Sequence, residues 1–376
     1  MTKKKDISSI KDRLKMQTYA QFRIDNIFTF LKFFREFFLE DVFFYRGQAD
    51  ATWGLKTSYE RYKNDYGPSL VIPEYFDSVC DRNLFRGELA AINYFQATNE
   101  SFSNTRHHPK LEVLSEMQHY GASTRLLDVT ESFGVALFFA VATIQGVPHA
   151  KVKIRKHQHQ VKKTERKETA VWAINKRVLL GNLLLSEYKS IPLKQKKVYL
   201  LFNPYKRKKI LLMEDLLVAS FSKNETELNE QLCDFAEELI GNEEVIKPPR
   251  NFPYCTVYPG VFPVRPMFFN NRLHAQNGLF LLQQSLEHSF MDNLLNTLNI
   301  SRSEYRKEVL TANTPNISDG EYDSELLNTA LIKFIIPPSE FESCKSILKA
   351  MNINYKSLFP DKYGIIKTAE KKYFPE

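Results

Sequence analysis

Hydrophobic residues recur along this chain with two different periods, which predict a mixture of helices and strands. Over residues 25–39, apolar positions return at three- and four-residue steps around charged ones, so we expect an amphipathic helix with Asp25 as its N-cap. The same reasoning predicts helices over 84–94, 111–119, 133–143, 176–185, 225–240, 286–298 and 339–351. Short continuous apolar runs predict buried strands at 42–45, 170–174, 278–282 and 330–336.

Helices and strands are interleaved irregularly, which favours an α+β fold over a doubly wound parallel sheet. We expect a mixed or split β-sheet flanked by helices. The polar residues 1–40 are predicted to form a helical lead-in, residues 41–365 a single α+β domain, and residues 366–376 a C-terminal tail. Residues 247–266 contain six prolines and are predicted to form an extended connector.

Composition excludes several classes of protein. Of the 376 residues, 43% are hydrophobic and 13% aromatic, which suffices for a packed core and excludes a mainly disordered chain. No apolar run reaches the roughly 18 residues of a membrane helix. The basic start is not followed by the apolar stretch of a signal peptide. We therefore expect a cytoplasmic protein that does not bind membranes.

Cysteine and histidine residues give no metal-binding pattern. The cysteines have no paired spacing, so we expect reduced thiols rather than a zinc site or disulfides; they are Cys80, Cys233, Cys255 and Cys344. Four histidines lack carboxylate-rich neighbours and are predicted to lie at the surface, namely His107, His108, His157 and His159. No metal is expected.

Positive charge is concentrated in residues 151–209. This segment holds 18 Lys and Arg against three acidic residues, whereas the whole chain carries only +8. Such asymmetry is typical of a surface that binds a polyanion, but also of a solubilising insertion. Its aromatic residues would suit base stacking on a nucleic acid: Tyr188, Tyr199, Phe202 and Tyr205. One hypothesis is therefore a nucleic-acid-binding protein or nuclease, although no acidic cluster for two metal ions accompanies the lysines.

Three groups of polar residues, distant in sequence, stand beside predicted strands or helix ends. The first is Tyr45, Arg46 and Gln48; the second is His119, Ser123, Thr124, Arg125 and Asp128; the third is Arg272, His274 and Gln276. Polar residues at element ends suit a site better than a core. We expect the three groups to meet around one cleft that holds a nucleotide-like anion.

Two motifs carry a resemblance to a known family. The segments Phe44-Tyr-Arg-Gly-Gln48 and Met117-Gln-His-Tyr-Gly-Ala-Ser-Thr-Arg-Leu-Leu-Asp-Val-Thr130 resemble the FRG-domain family, with Tyr45 in the aromatic place of the signature. Matching pieces at 170–175, 271–280 and 358–361 extend the resemblance from about residue 40 to about residue 365. The resemblance implies a prokaryotic or phage-associated protein, of a kind suspected in antiphage defence or toxicity, with a phage or partner protein as a possible contact.

The order of the polar groups is also similar to arginine-type ADP-ribosyltransferases, in which an arginine strand, a Ser/Thr turn and a catalytic carboxylate follow one another. This resemblance implies an ADP-ribosyltransferase-like core with helical and basic insertions, and NAD as a substrate. Arg46 would then grip the diphosphate, Ser123 and Thr124 would bond ribose hydroxyls, and His119 would bond a ribose or move a proton. The nicotinamide ring would stack on an aromatic side chain, for which the candidates are Tyr45, Trp53 and Tyr120.

Gln276 departs from the transferase pattern. It stands where the catalytic carboxylate is expected, and an amide can neither remove a proton nor supply negative charge. Either Glu88 or Asp128 takes that role, or the cleft binds a nucleotide without cleaving it.

Structural interpretations of the same residues remain open. Arg125 and Asp128 are three positions apart and suit an ion pair, and Asp128 also suits a helix cap. Arg46 suits a structural arginine that bonds backbone carbonyls, and Trp53 suits core packing. A catalytically silent sensor that binds a nucleotide or a phage protein is therefore a third hypothesis.

Overall fold

The computed structural model describes residues 19–32, 42–66, 82–98, 109–142, 167–180, 225–240, 260–266, 271–286, 288–310 and 329–373. Several sequence predictions lie outside the described residues. These are the helix over 33–39, most of the basic segment 151–209, the connector over 247–259, and the positions of Cys80, Cys255, His107, His108, His157 and His159.

Seven strands form one mixed sheet, which confirms the predicted α+β class. They are β1 (Tyr19–Arg23), β2 (Phe43–Gln48), β3 (Leu126–Thr130), β4 (Thr169–Asn175), β5 (Val261–Val264), β6 (Gly278–Gln283) and β7 (Leu331–Ile336). The strand order is β1-β7-β4-β2-β3-β6-β5. β1 and β7 run parallel, and every other neighbouring pair is antiparallel.

Helices cover both faces of this sheet. They are α1 (Ser58–Tyr66), α2 (Arg82–Thr98), α3 (Lys110–His119), α4 (Phe133–Ala142), α5 (Glu225–Leu239), α6 (Asn271–Ala275), α7 (Phe290–Leu298), α8 (Arg302–Leu310), α9 (Phe341–Ala350), α10 (Tyr355–Leu358) and α11 (Lys362–Tyr373). A 3₁₀ turn, Pro338–Glu340, leads into α9. None of the helices in the described ranges combines the length and the apolarity that crossing a bilayer requires.

Within the predicted helical lead-in over residues 1–40, the described residues 19–23 are a strand instead, whereas residues 27–32 are helical. Residues Tyr19–Arg23 form an edge strand that pairs with β7. The ring of Tyr19 packs edge-on against that of Tyr305, with 4.9 Å between their centroids. The following helix begins at residue 27, and its cap is Asn26, whose side chain accepts from the Thr29 amide. Asp25 instead pairs with Arg23. Five residues are too few to show a decisive period, so the partner strand determined this structure.

Part of the proline-rich segment is also a strand. Val261–Val264 forms β5, which has Pro263 at its centre and lies at the edge of the sheet. Proline lacks an amide hydrogen, and an edge strand is where a sheet tolerates that loss. The prediction of an extended connector was therefore wrong over this part of the segment.

Two apolar clusters lie side by side on one face of the sheet. Alternation along the strands directs Tyr45 and Phe334 toward a cluster built with α4 and α9. On the same face, Phe280 and Leu282 belong to a second cluster built with α2, α3 and α5. The opposite face carries a third cluster, around the fully buried Trp172 and α7. The boundary between the first two clusters coincides with the boundary between β2 and β3.

A buried lysine fastens the loop that follows β2. Lys333 lies on β7 beside Trp172, with its ammonium 4.7 Å from the indole centroid and within hydrogen-bonding distance of the Ala51 carbonyl. Burial lowers the pKa of Lys333 to about 8, against the weaker opposing effect of Asp50. Asp50 also accepts from the Thr52 amide and hydroxyl, so the loop is held from both sides.

Candidate functional site

A cleft opens where the sheet is weakest. β2 and β3 pair only at Tyr45 and Thr130, whereas the other neighbouring strands pair over four to six residues. The resulting cavity has a volume of about 950 Å³ and lies between the clusters around α4 and α3. Members of all three predicted polar groups line it, namely Tyr45, Arg46, Gln48, His119, Asp128, Arg272 and Gln276. The candidate stacking residue Trp53 lines it as well.

Arg46 reaches across the gap between the two strands. The prediction ended the strand at Tyr45, but β2 continues to Gln48, so Arg46 lies within it and is held by the ladder to Trp172. Its Nη1 donates to the Asp128 carbonyl and lies 3.7 Å from the Asp128 carboxylate. The guanidinium therefore replaces backbone pairing that β2 and β3 do not make.

The guanidinium of Arg46 is not fully satisfied by these contacts. Its side chain is only 20% exposed, and its Nε is buried without a hydrogen-bond partner among the described residues. Burial lowers the pKa of Arg46, and the positive charge of Arg61 lowers it further, although Asp128 opposes both effects. A buried cation with a vacant donor is stabilised by an additional anionic acceptor.

Most of the charged residues that line the cleft are basic. Four cationic side chains contribute to it, namely Arg46, Lys56, Arg61 and Arg272. Asp128 is the one carboxylate among the lining residues that the structure describes, and its side chain is 60% exposed. An anion that enters the cleft therefore meets an excess of positive charge in a partly enclosed space, where electrostatic attraction is stronger than in bulk water.

A short relay of side chains orients Asp128. The Thr124 hydroxyl donates to Gln118 Oε1, and Gln118 Nε2 donates to Asp128 Oδ1 over 2.9 Å. Because the amide oxygen already accepts from Thr124, the amide nitrogen must face the carboxylate. Gln118 thus holds Asp128 beside Arg46. This pairing replaces the predicted ion pair between Asp128 and Arg125, and Asp128 does not cap the next helix, because Ser132 accepts from the Val135 amide there.

Gly47 lets α4 lie directly on β2. A Cβ atom at this position would lie 1.9 Å from the Ala136 carbonyl oxygen and 2.7 Å from the Ala140 amide nitrogen. Both atoms belong to the backbone of α4, so neither can move without shifting the helix. The glycine beside Arg46 is thus explained by close packing between strand and helix.

Replacing Gly47 with alanine is expected to destabilise the protein by about 1–3 kcal/mol, because overpacking forces the strand and the helix apart. Gly54→Ala is the matched control, since its added Cβ meets only Met291 Cγ at 3.6 Å. We expect the control to change the free energy of unfolding, measured by urea denaturation, by less than about 0.5 kcal/mol. Equal losses in the two variants would contradict this account of Gly47.

The aromatic residues of the cleft differ in exposure. Trp53 is 55% exposed at the mouth, so the interpretation of Trp53 as a core residue was wrong. Tyr45 is almost fully buried and packs edge-on against Phe133 at 5.7 Å, which leaves little of its ring for a ligand. Phe139, Phe280 and Phe359 add an apolar wall. Trp53 is therefore the predicted aromatic residue best placed to stack on a ring.

Two members of the third polar group, Arg272 and Gln276, line the cleft, whereas His274 is exposed and does not. Arg272 pairs with Asp361, whose pKa is lowered chiefly by that hydrogen bond. Gln276 donates from its side-chain Nε2 to the Leu358 carbonyl over 3.1 Å, and its backbone carbonyl accepts from the Thr130 hydroxyl over 2.7 Å. Gln48 is similarly engaged, because it donates to the Gly54 carbonyl and accepts from the Trp172 indole. These side chains shape the cleft while they bind neighbouring elements.

Besides His274, four predicted site residues do not line the cleft. Thr124 is buried, whereas Ser123 and Tyr120 point to solvent at the end of α3. That helix ends in a Schellman motif, in which Gly121 (φ +87°) and the residue after it donate to the Gln118 and Met117 carbonyls. The turn orients His119 into the cleft and Tyr120 away from it.

Arg125, the fourth, is fully buried in a different place. Its guanidinium makes a two-pronged ion pair with Glu88 of α2, with 2.8 Å between Nε and Oε1. Its Nη1 also lies 3.4 Å from the Gln283 and Gln284 carbonyls. Glu88 is therefore committed to Arg125 and does not reach the cleft. Of the two carboxylates considered as substitutes for Gln276, Asp128 alone lines the cavity.

Sequence reasoning missed several lining residues, among them Lys56, Arg61 and Gln118. Gln118 lies inside the motif 117–130, so its position beside His119 was an available signal. Lys56 and Arg61 follow β2 by only a short loop, and that proximity was the signal for them.

Comparison with known proteins identifies one family. Residues 41–147 match the family model of the FRG domain, the family that the motifs at 44–48 and 117–130 resemble. The predicted extension of this resemblance to about residue 365 lies outside the match. This segment holds Arg46, Gly47, His119 and Asp128, but not Arg272 or Gln276. No curated protein and no solved structure matches the chain significantly.

Proposed function

We propose that the cleft of this FRG-domain protein binds a nucleotide that carries a diphosphate, such as NAD. The carrying observation is the Arg46 guanidinium, which is largely buried yet lines a cavity whose charged residues are mostly basic. A diphosphate offers several anionic oxygens, and a planar guanidinium binds them through forked hydrogen bonds. Lys56 and Arg61 supply further positive charge on the same side of the cavity.

The remaining lining residues suit the rest of such a ligand. Trp53 offers an exposed ring at the mouth for a base or a nicotinamide. His119 lies in the cleft and can hydrogen-bond a ribose hydroxyl. The cavity of about 950 Å³ lies at the upper end of the range of about 300–1,000 Å³ that is usual for small-molecule sites.

We further propose that Asp128 supports cleavage of NAD and transfer of ADP-ribose. In this step the bond between ribose C1′ and the nicotinamide nitrogen breaks, and the bonding pair leaves with nicotinamide. The positive charge that develops on the ribose is stabilised by the nearby carboxylate. Water or a hydroxyl of a macromolecule then bonds to C1′, and its proton passes to Asp128. Consumption of NAD or modification of a macromolecule would fit a toxin or an antiphage defence protein, as the FRG resemblance implies.

Asp128→Asn is expected to slow nicotinamide release by about a hundredfold, the low end of the effect of a positioned acid–base group. Binding of NAD should persist or become tighter, because the change removes a negative charge beside Arg46. Calorimetric titration with NAD and chromatographic assay of nicotinamide measure the two effects. Asp292→Asn on α7 is the matched control, since Asp292 pairs with Arg302 and does not line the cleft.

Failure of the wild-type protein to bind NAD, ADP-ribose or ADP would overturn the proposal. Binding without release of nicotinamide would overturn the catalytic part and favour the sensor hypothesis. Release at the wild-type rate by Asp128→Asn would remove Asp128 from the reaction.

A further inference from the structure

Three aromatic rings pack in a column beside the cleft. Tyr355, Phe359 and Tyr363 follow one another at four-residue intervals from α10 into α11. The centroids of the first two rings are 6.0 Å apart and nearly stacked, and those of the second and third are 5.1 Å apart at 61°. Phe359, the middle ring, lines the cleft, so the column is in contact with the candidate site.

Cationic groups are interleaved with these rings. The guanidinium of Arg272 lies 5.4 Å from the centroids of both Phe359 and Tyr363. Lys371 Nζ lies 4.7 Å from the Tyr355 centroid, and Lys367 Nζ lies 6.0 Å from that of Tyr363. The set is termed here the aromatic–basic column: Arg272, Tyr355, Phe359, Tyr363, Lys367 and Lys371.

The surface around the aromatic–basic column is positively charged. Residues 355–373 include five lysines and two acidic residues, and both acidic side chains are already paired, Asp361 with Arg272 and Glu370 with Lys367. Lys356, Lys362 and Lys372 are exposed. The excess of exposed positive charge favours an anionic partner.

The mixture of rings and cations selects among anionic partners. An acidic peptide would use the lysines but has no need of aromatic rings. Single-stranded nucleic acid uses both, since phosphates contact the cations and unpaired bases stack on the rings. Tyr363 is the most accessible ring of the column, with 42% of its surface exposed to solvent, whereas Tyr355 and Phe359 are partly buried.

We infer that the aromatic–basic column binds single-stranded nucleic acid and presents one of its nucleotides to the cleft as the acceptor of ADP-ribose. The binding stands on the column alone, whereas the acceptor role rests on the proposed function. In the transfer, C1′ of ADP-ribose bonds to a hydroxyl oxygen of the strand, nicotinamide leaves with the bonding pair, and the hydroxyl proton passes to Asp128.

The test measures binding of a fluorescein-labelled 12-nucleotide single-stranded RNA to the full chain by fluorescence anisotropy at several salt concentrations. Tyr363→Ala should raise Kd roughly five- to a hundredfold, which corresponds to loss of one base–aromatic stack, and Tyr363→Phe should restore binding. Lys367→Ala should reduce the salt slope of log K by about 0.7, as loss of one phosphate contact requires. Tyr94→Ala on α2 and Lys345→Ala on α9 are the matched controls, because both side chains lie outside the column.

Different outcomes separate the two hypotheses. Unchanged NAD binding by Tyr363→Ala, together with weakened RNA binding, supports the column as a separate site. Equal losses of RNA binding in Tyr363→Ala and Tyr94→Ala would overturn the inference, as would tighter binding of a duplex of the same length or binding only to anionic vesicles. RNA binding that disappears on deletion of 151–168 but resists Tyr363→Ala would assign it to the basic segment instead. If RNA binds as expected but NAD does not, the proposed function fails and the binding site stands.

Discussion

Arg46→Ala is expected to weaken NAD binding by about 2–5 kcal/mol, the cost typical of truncating one partner of a buried, hydrogen-bonded charge pair. The reason lies in the geometry of the guanidinium. It is four-fifths buried, its Nε lacks a partner in the described residues, and it lies in a cavity with an excess of cations. No neighbouring lysine can reproduce its forked donor geometry. Calorimetric titration of the folded variant with NAD measures the loss.

Two further variants make this prediction specific. Arg46→Lys keeps the charge but not the fork, so its affinity should lie between those of the wild type and Arg46→Ala. Arg306→Ala removes an exposed arginine of α8, which does not line the cleft, and should leave Kd unchanged. If Arg46→Ala unfolds while Arg46→Lys binds NAD at full affinity, Arg46 is a structural bridge between β2 and β3 rather than a ligand for phosphate.

Glu88→Ala is expected to lower the free energy of unfolding by about 3–5 kcal/mol, as is typical when one partner of a buried ion pair is removed. The side chain of Arg125 is fully buried, and that of Glu88 is only 10% exposed. Without the carboxylate, the guanidinium stays in the interior and loses its anionic partner, while the carbonyls of Gln283 and Gln284 lie 3.4 Å from its Nη1. Urea denaturation followed by circular dichroism measures the change.

An exposed ion pair provides the control for Glu88. Lys345→Ala breaks the pair with Glu342 on α9, whose side chains are 33% and 73% exposed, and should cost at most about 1 kcal/mol. The double variant Glu88→Leu/Arg125→Met removes both buried charges and should recover most of the stability. A double variant no more stable than Glu88→Ala would show that the packing of the two residues, rather than their charges, stabilises this region.

The sequence predicted four of the five interior strands of the sheet but missed β3, over which no element was predicted. The buried runs around Trp172, Phe280 and Phe334 are long enough, and rich enough in β-branched and aromatic residues, to indicate strands without knowledge of their partners. β1 and β5 were missed because each is short and lies at an edge, where pairing with a neighbour decides the structure.

Prediction of the site was limited by contacts between residues distant in sequence. Arg46, His119 and Gln276 were expected in one cleft because each stands beside a strand or helix end, and they do line the same cavity. Arg125 was grouped with them because it lies in the same motif, yet its partner, Glu88, is 37 positions away on another helix. Spacing along the chain cannot reveal which of two adjacent polar side chains turns inward, because the fold of the intervening segment decides it.

Because β2 and β3 pair at a single position, the sheet consists of two parts, β1-β7-β4-β2 and β3-β6-β5, with little backbone pairing between them. Between the two parts, the Arg46 guanidinium donates a hydrogen bond to the Asp128 carbonyl, which a backbone amide would otherwise donate in a regular ladder. An anion that binds in the cleft as proposed would contact the same guanidinium, so its binding and the contact between the two parts of the sheet are thermodynamically linked. A ligand that binds to Arg46 in this cleft would therefore also stabilise the contact between the two parts of the sheet.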